Sequence, residues 1–331
     1  MTRFFSVELV AAMTLLAMQP GCVLDSEPLG GGFEPDGRPP AESVGADDED
    51  PADSAGAIRL DLPVPVETAC KKLDVLFVLD NSGSQADVND ELQEFVFPTL
   101  SARLLEIGGG VEDFHVAVID ACPYPAVFHD AGGLGDEPDY QSCEFSTGRN
   151  WMSSESDDFL RELECVTELL PINAEINDDE CMDEVADEDE RPMLTAATAL
   201  TEPLVSGANA GFLRDDALLL LVVIADEDED DNRGEILPAD VLEPLIRAKG
   251  GVENIVVLAI GGMQQCRIEG DPYFPAEYPA SDARRLRGLV EPFELVGRGI
   301  FWDMCAGDIP SAFDAAIDIA DLACLEWTPE G

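Results

Sequence analysis

Leu73-Asp74-Val75-Leu76-Phe77-Val78-Leu79-Asp80-Asn81-Ser82-Gly83-Ser84 is the stretch on which the reading of this chain turns. Its first part is almost continuously apolar and rich in β-branched and aromatic residues, the pattern of a strand buried on both faces. It ends abruptly in oxygen-bearing side chains, with Gly83 allowing a tight backbone turn. A helical pattern follows at once, with Val88, Leu92, Phe95 and Val96 on one face. A buried strand thus delivers Asp80, Ser82 and Ser84 to its carboxyl end, where an open parallel sheet binds ligands.

Asp80-x-Ser82-x-Ser84 after an apolar strand resembles the metal-ion-dependent adhesion site of von Willebrand factor type A domains. The resemblance implies an α/β fold: a doubly wound, mostly parallel open sheet with helices on both faces. It also implies metal-assisted binding of a protein or other ligand, usually outside the cell, without catalysis. Ala217 to Asp226 is a second strongly apolar strand that ends in acids, and in the family the remaining metal-site aspartate matches Asp226. The family's third loop supplies a threonine. Here the equivalent stretch is Asp189-Glu190-Arg191-Pro192-Met193, with Thr195 slightly late, so Glu190 and Thr195 are both candidates. Hard carboxylate and hydroxyl oxygens suit a small divalent cation, Mg²⁺ first, with Mn²⁺ and Ca²⁺ as alternatives. A partner carboxylate would complete the coordination.

Strand and helix patterns alternate along the remainder, which favours parallel strands. A helix is predicted from about Ala86 to Glu106, a strand over Phe114 to Asp120, and a helix around Met193 to Leu204. Further on come a helix near Ala239 to Lys249, a strand over Asn254 to Gly261 and a helix near Ser281 to Val290. A short strand at Gly299 to Met304 and a closing helix at Ile309 to Leu325 complete the series. Between about 121 and 190 prolines and glycines interrupt the pattern, with one helix near Phe159 to Leu170, so this region reads as an insertion. The acidic run Asn177 to Glu190 lacks the ligand spacing of a calcium loop and reads as solvated. His115 reads as a satisfied histidine on a strand, since no second histidine or cysteine has ligand spacing to it.

The formal net charge of the 331 residues is −52, which argues against nucleic acid and anionic membranes as partners. Solubility is the first reading of this charge; since it also opposes an acidic ligand, a partner basic overall with one exposed acid is the alternative. The nine cysteines include no Cys-x-x-Cys pair, and the two histidines are His115 and His129, which makes zinc and nucleophile–histidine sites improbable. There is no Gly-x-Ser-x-Gly elbow, phosphate-binding loop or dinucleotide fingerprint. The chain therefore reads as a binding protein. The alternatives are a structural envelope domain with a vestigial metal site and a metal-dependent hydrolase.

Upstream, residues 1–22 resemble an export signal: Arg3, a short apolar run from Leu9 to Met18, and Gln19-Pro20-Gly21-Cys22 at the end. This ending is similar to a bacterial lipoprotein cleavage site, with Cys22 as the lipidated residue; plain cleavage is the alternative. Residues 23–66, rich in Gly, Pro, Asp and Glu, read as a linker, and 67–328 as the folded domain. Apart from Cys22 the cysteines are even in number, which suits an exported protein in an oxidising compartment of the cell envelope or beyond. Cys70–Cys324 is expected to join the domain's ends, as the resemblance also implies. Local proximity suggests Cys122–Cys143, Cys165–Cys181 and Cys266–Cys305.

Overall fold

The structure, a computed structural model, describes residues 70–81, 91–107, 110–133, 140–169, 190–229, 237–263 and 282–326. Cys22, Ser82, Ser84, Cys181 and Cys266 lie outside the described residues, as do the proposed leader and linker.

Strand β1 (Lys72–Leu79) is central. It pairs in parallel with β2 (Asp113–Asp120) on one side and β6 (Leu218–Ile224) on the other. β6 pairs in parallel with β7 (Ile255–Gly261), and β7 with β8 (Gly299–Asp303). The two-residue β5 (Met152–Ser153) extends the far edge antiparallel to β2, giving the order β5-β2-β1-β6-β7-β8. A separate hairpin pairs β3 (Ala131–Gly133) with β4 (Tyr140–Ser142).

The continuous apolar runs arise because both faces of the sheet are covered. On one face Val75, Phe77, Leu220, Val222, Val256 and Leu258 pack into a single cluster. That cluster is covered by α1 (Phe97–Leu104), α2 (Phe159–Thr167) and α6 (Ile309–Glu326). Phe77 anchors it, edge-on to Phe97 at 5.5 Å and stacked near Phe313 at 6.1 Å. The alternate residues, Leu76, Val78, Leu219, Leu221, Val257 and Ala259, face α3 (Pro192–Ala199), α4 (Pro238–Ala248) and α5 (Arg284–Glu294). The fold is therefore doubly wound α/β with a mostly parallel open sheet. The chain leaves β1 through α1 on one face to reach β2, and reaches β6 through α3 on the other. This reversal leaves a crevice at the carboxyl ends of β1 and β6.

Cys70 and Cys324 are bonded, with Cα atoms 4.7 Å apart, and tie β1's entrance to the last helix. The pairings Cys122–Cys143 and Cys165–Cys181 are corrected: Cys143 is bonded to Cys165, with Cα atoms 5.6 Å apart. The reason is packing rather than sequence distance. The β3–β4 hairpin lies against α2, and Gly132 permits it: a Cβ there would stand 1.7 Å from the carbonyl oxygen of Cys165. Cys122 and Cys305 each take part in a further disulfide. Such bonds persist in an oxidising compartment. No helix among the described residues is long and apolar enough to cross a membrane.

The Gly132 contact makes a prediction. Gly132→Ala must push the hairpin off α2, costing about 1–3 kcal/mol by overpacking. Urea unfolding measures the loss; an unchanged midpoint would show that the hairpin is not held there.

Candidate metal centre

Three strand ends build the site. β1 stops at Leu79, and the N–H of Asp80 donates to the Ile224 carbonyl of β6 at 2.9 Å. Asp80 is therefore held beside the end of β6, whose own continuation carries Asp226 two residues later. On the other flank, β2 ends at Asp120, and the next carbonyl, that of Ala121, accepts the N–H of Arg191 at 3.0 Å and the Thr195 hydroxyl at 2.9 Å. These bonds dock the start of α3 against the sheet and bring Glu190 with it. Carboxylate oxygens of Asp80, Glu190 and Asp226 lie within 4.8 Å of one another. All three residues are withdrawn from solvent, at 0%, 3% and 9% exposure.

Both aspartates singled out in the sequence thus meet. Of the two third-loop candidates, Glu190 joins them with its carboxylate, whereas the Thr195 hydroxyl donates to Ala121. The acidic run ending at Glu190 was expected to be solvated, but its last residue is buried because α3 docks on the sheet.

Residues after Asp226 carry roles that the sequence reading missed. Asp228 accepts the N–H groups of Arg285 and Leu286 at 2.9 and 3.0 Å, capping α5. Glu229 accepts the N–H of Met193 at 3.0 Å and of Leu194 at 2.8 Å, capping α3. Burial pushes the Glu229 carboxyl up to about 7, although these two bonds and Arg191 pull it down. The acids of this strap look like one solvated run, so only the spatial position of the two helix starts reveals their separate partners.

His115 is satisfied, as expected: its Nδ1 lies 2.9 Å from the Phe212 carbonyl and its ring stacks on Trp151 at 4.0 Å. The second histidine, His129, sits with Nε2 3.2 Å from Asp120, whose other oxygen accepts the N–H of Cys122 at 2.9 Å. This pair shapes the exit from β2.

Chemically, three buried carboxylates at this spacing repel one another, and a cation among them would relieve that repulsion. Hard oxygen donors match Mg²⁺, Mn²⁺ or Ca²⁺ rather than a soft metal.

No family model matches the sequence, and no curated protein matches it either. Among solved structures the chain is similar to two structures of proximal thread matrix protein 1 from the mussel byssus, at 14% and 13% identity and TM-scores of 0.35 and 0.33. Each comparison covers 78% of this chain and 47% of that protein, so the chain spans about half the length of the structures it matches.

Proposed function

We propose that this chain is an extracytoplasmic, metal-ion-dependent binding protein of the von Willebrand factor type A kind. Its ligand is captured through a divalent cation at the carboxyl ends of β1 and β6. The observation that carries this reading is the meeting of the Asp80, Asp226 and Glu190 carboxylates at the crevice where the winding reverses. Asp80 and Asp226 would hold the ion, with Ser82 and Ser84 adding hydroxyls as the resemblance implies. The ion supplies an electrophilic centre for a partner carboxylate. Anchoring of the domain through a lipid on Cys22 belongs to the same proposal.

Calorimetric titration with Mg²⁺ tests it. The wild-type protein is expected to bind one ion, and Ser82→Ala and Asp226→Asn to bind it far more weakly. Identical isotherms for all three would end the reading.

Glu190 favours a second reading. With three carboxylates, a bound dication carries a net negative charge and repels an anionic ligand. The ion would then clamp the segment before α3 to the sheet, and the role would be structural. Glu190→Gln separates the two. For a binding protein, this variant is expected to hold Mg²⁺ about tenfold more weakly yet to bind acetate in a Mg²⁺-dependent way, since one ligand position and one charge are freed. For a structural clamp, Mg²⁺ affinity falls without any gain in acetate binding.

A further inference from the structure

We propose that Glu229 is the positioning residue for Glu190: by capping α3 it sets the third carboxylate against Asp80 and Asp226. This rests on the metal-site reading above.

α3 begins with Pro192, which has no N–H, and no side chain at its N-cap residue, Arg191, bonds to its first turn. The first amides the helix can offer are those of Met193 and Leu194, and Glu229 takes both, one on each carboxylate oxygen. A residue 35 positions away thus supplies the cap that the local sequence lacks. Glu229 is almost fully buried, and it follows Asp226 by only three residues. One short strap therefore carries a cluster aspartate at its start and grips the helix bearing Glu190 at its end. Since Glu190 precedes Pro192 by two residues, loosening the first turn of α3 displaces the Glu190 carboxylate.

The charged groups facing Glu229 are Asp228 on its own strap, Arg191 at the start of α3, and Arg285 of α5, whose Nη1 donates to the Glu229 carbonyl at 3.1 Å. Burial holds the proton on Glu229 and the Asp228 charge adds to it, while Arg191 favours its release. A protonated Glu229 turns one acceptor into a donor facing an amide, so one of the two capping bonds is lost. Its carboxyl titrates near pH 7, so the cap is complete above neutrality and weakens as pH falls through that value. A cation among the carboxylates favours the complete cap, and by linkage cation affinity falls over the same range.

The test is calorimetric titration with Mg²⁺, and separately Ca²⁺, between pH 6 and 8.5 on wild type, Glu229→Gln, Glu190→Gln and the double variant. Loss of a group that orients a metal ligand costs roughly 10–100-fold in affinity. At pH 8.5 Glu229→Gln is expected to bind about tenfold more weakly, no more than Glu190→Gln itself, and to lose the decline near pH 7. In the Glu190→Gln background the same change is expected to cost nothing more, because its effect passes through Glu190. Additive losses, or a Glu229→Gln profile matching wild type, overturn the proposal. If Glu229→Gln does not fold, Glu229→Asp replaces it, with shortened reach and a retained charge, under the same criteria. Absence of cation binding by wild type overturns the metal-site reading itself, and this inference with it.

Discussion

In the Asp80→Asn protein, Mg²⁺ is expected to leave the melting temperature unchanged, while the metal-free domain becomes more stable than metal-free wild type. The two signs have one cause. Two unit charges at the 4.8 Å limit of the cluster repel by about 3 kcal/mol at an effective dielectric constant of about 20. Asp80 meets two such partners, so neutralising it relieves its repulsion with both Asp226 and Glu190. The same neutralisation removes a charged donor from the ion. At a hundredfold excess over its Kd, an ion that binds only the folded state adds about 2.7 kcal/mol. For a domain of this size, that corresponds to a rise of roughly 5–10 °C in wild type. A variant that merely disturbed packing would melt lower with and without metal. The prediction fails if Asp80→Asn keeps the Mg²⁺-dependent rise.

That opposition of signs also bears on the ligand. A site made only of Asp80, Asp226 and hydroxyls would leave the ion electrophilic. Glu190 offsets that charge, which is why Glu190→Gln and not the wild-type protein is the sharper probe of carboxylate capture. A basic partner presenting one acid would meet both the acidic surface and the ion, and a partner acidic throughout would meet repulsion from the whole molecule.

Much of this was legible in the residues. β1, β6 and β7 read as buried strands because each is apolar without alternation, and helices on both faces are what such runs require. Asp80 and Asp226 were legible as strand-end acids, and the sheet order makes them neighbours. Glu190 was legible only as a candidate, because its burial depends on α3 docking at Ala121, a contact between elements far apart in the chain. The cysteine pairing was misread for a similar reason, since Gly132 and not sequence spacing decides which strand end touches α2. The edge strand β5 has two residues, too few to show any periodicity. α5 was expected to stop at Val290, ahead of Pro292, yet it runs to Glu294, with Phe293 fully buried beneath its last turn. Packing of that ring outweighs the proline's missing hydrogen bond.

The other end of the sheet carries the second large effect. Asp74 is a charged residue in the middle of an apolar strand, and it is fully buried. It accepts the N–H and the Nε of Arg214, each at 2.8 Å, and lies 4.0 Å from the ammonium of Lys249, whose side chain is also fully buried. Lys249 donates in addition to the carbonyls of Arg214 and Ala217, at 2.5 and 2.6 Å. Burial pushes the Asp74 carboxyl up to about 6 against the pull of Arg214 and Lys249, and it pushes the Lys249 ammonium down. Because the folded value of Asp74 lies above its ordinary 3.8, this carboxyl favours folding most at low pH, and that contribution is lost as pH rises through about 6. At pH 8 the ionised carboxylate is then needed by its two cations. Asp74→Ala is expected to cost about 3–5 kcal/mol there, because it leaves the buried Lys249 ammonium with only the weaker pull of Asp215 and Asp216. Arg214 loses less, since its Nη1 also pairs with Asp113 at 2.6 Å. Adding Lys249→Met to Asp74→Ala is expected to restore a large part of the loss, because the remaining buried charge goes with it. Urea unfolding of wild type, single and double variants measures both steps. A single-variant loss below about 1 kcal/mol, or a double variant no better than the single, would mean that water reaches Lys249 and the network is not the lock at the base of the sheet.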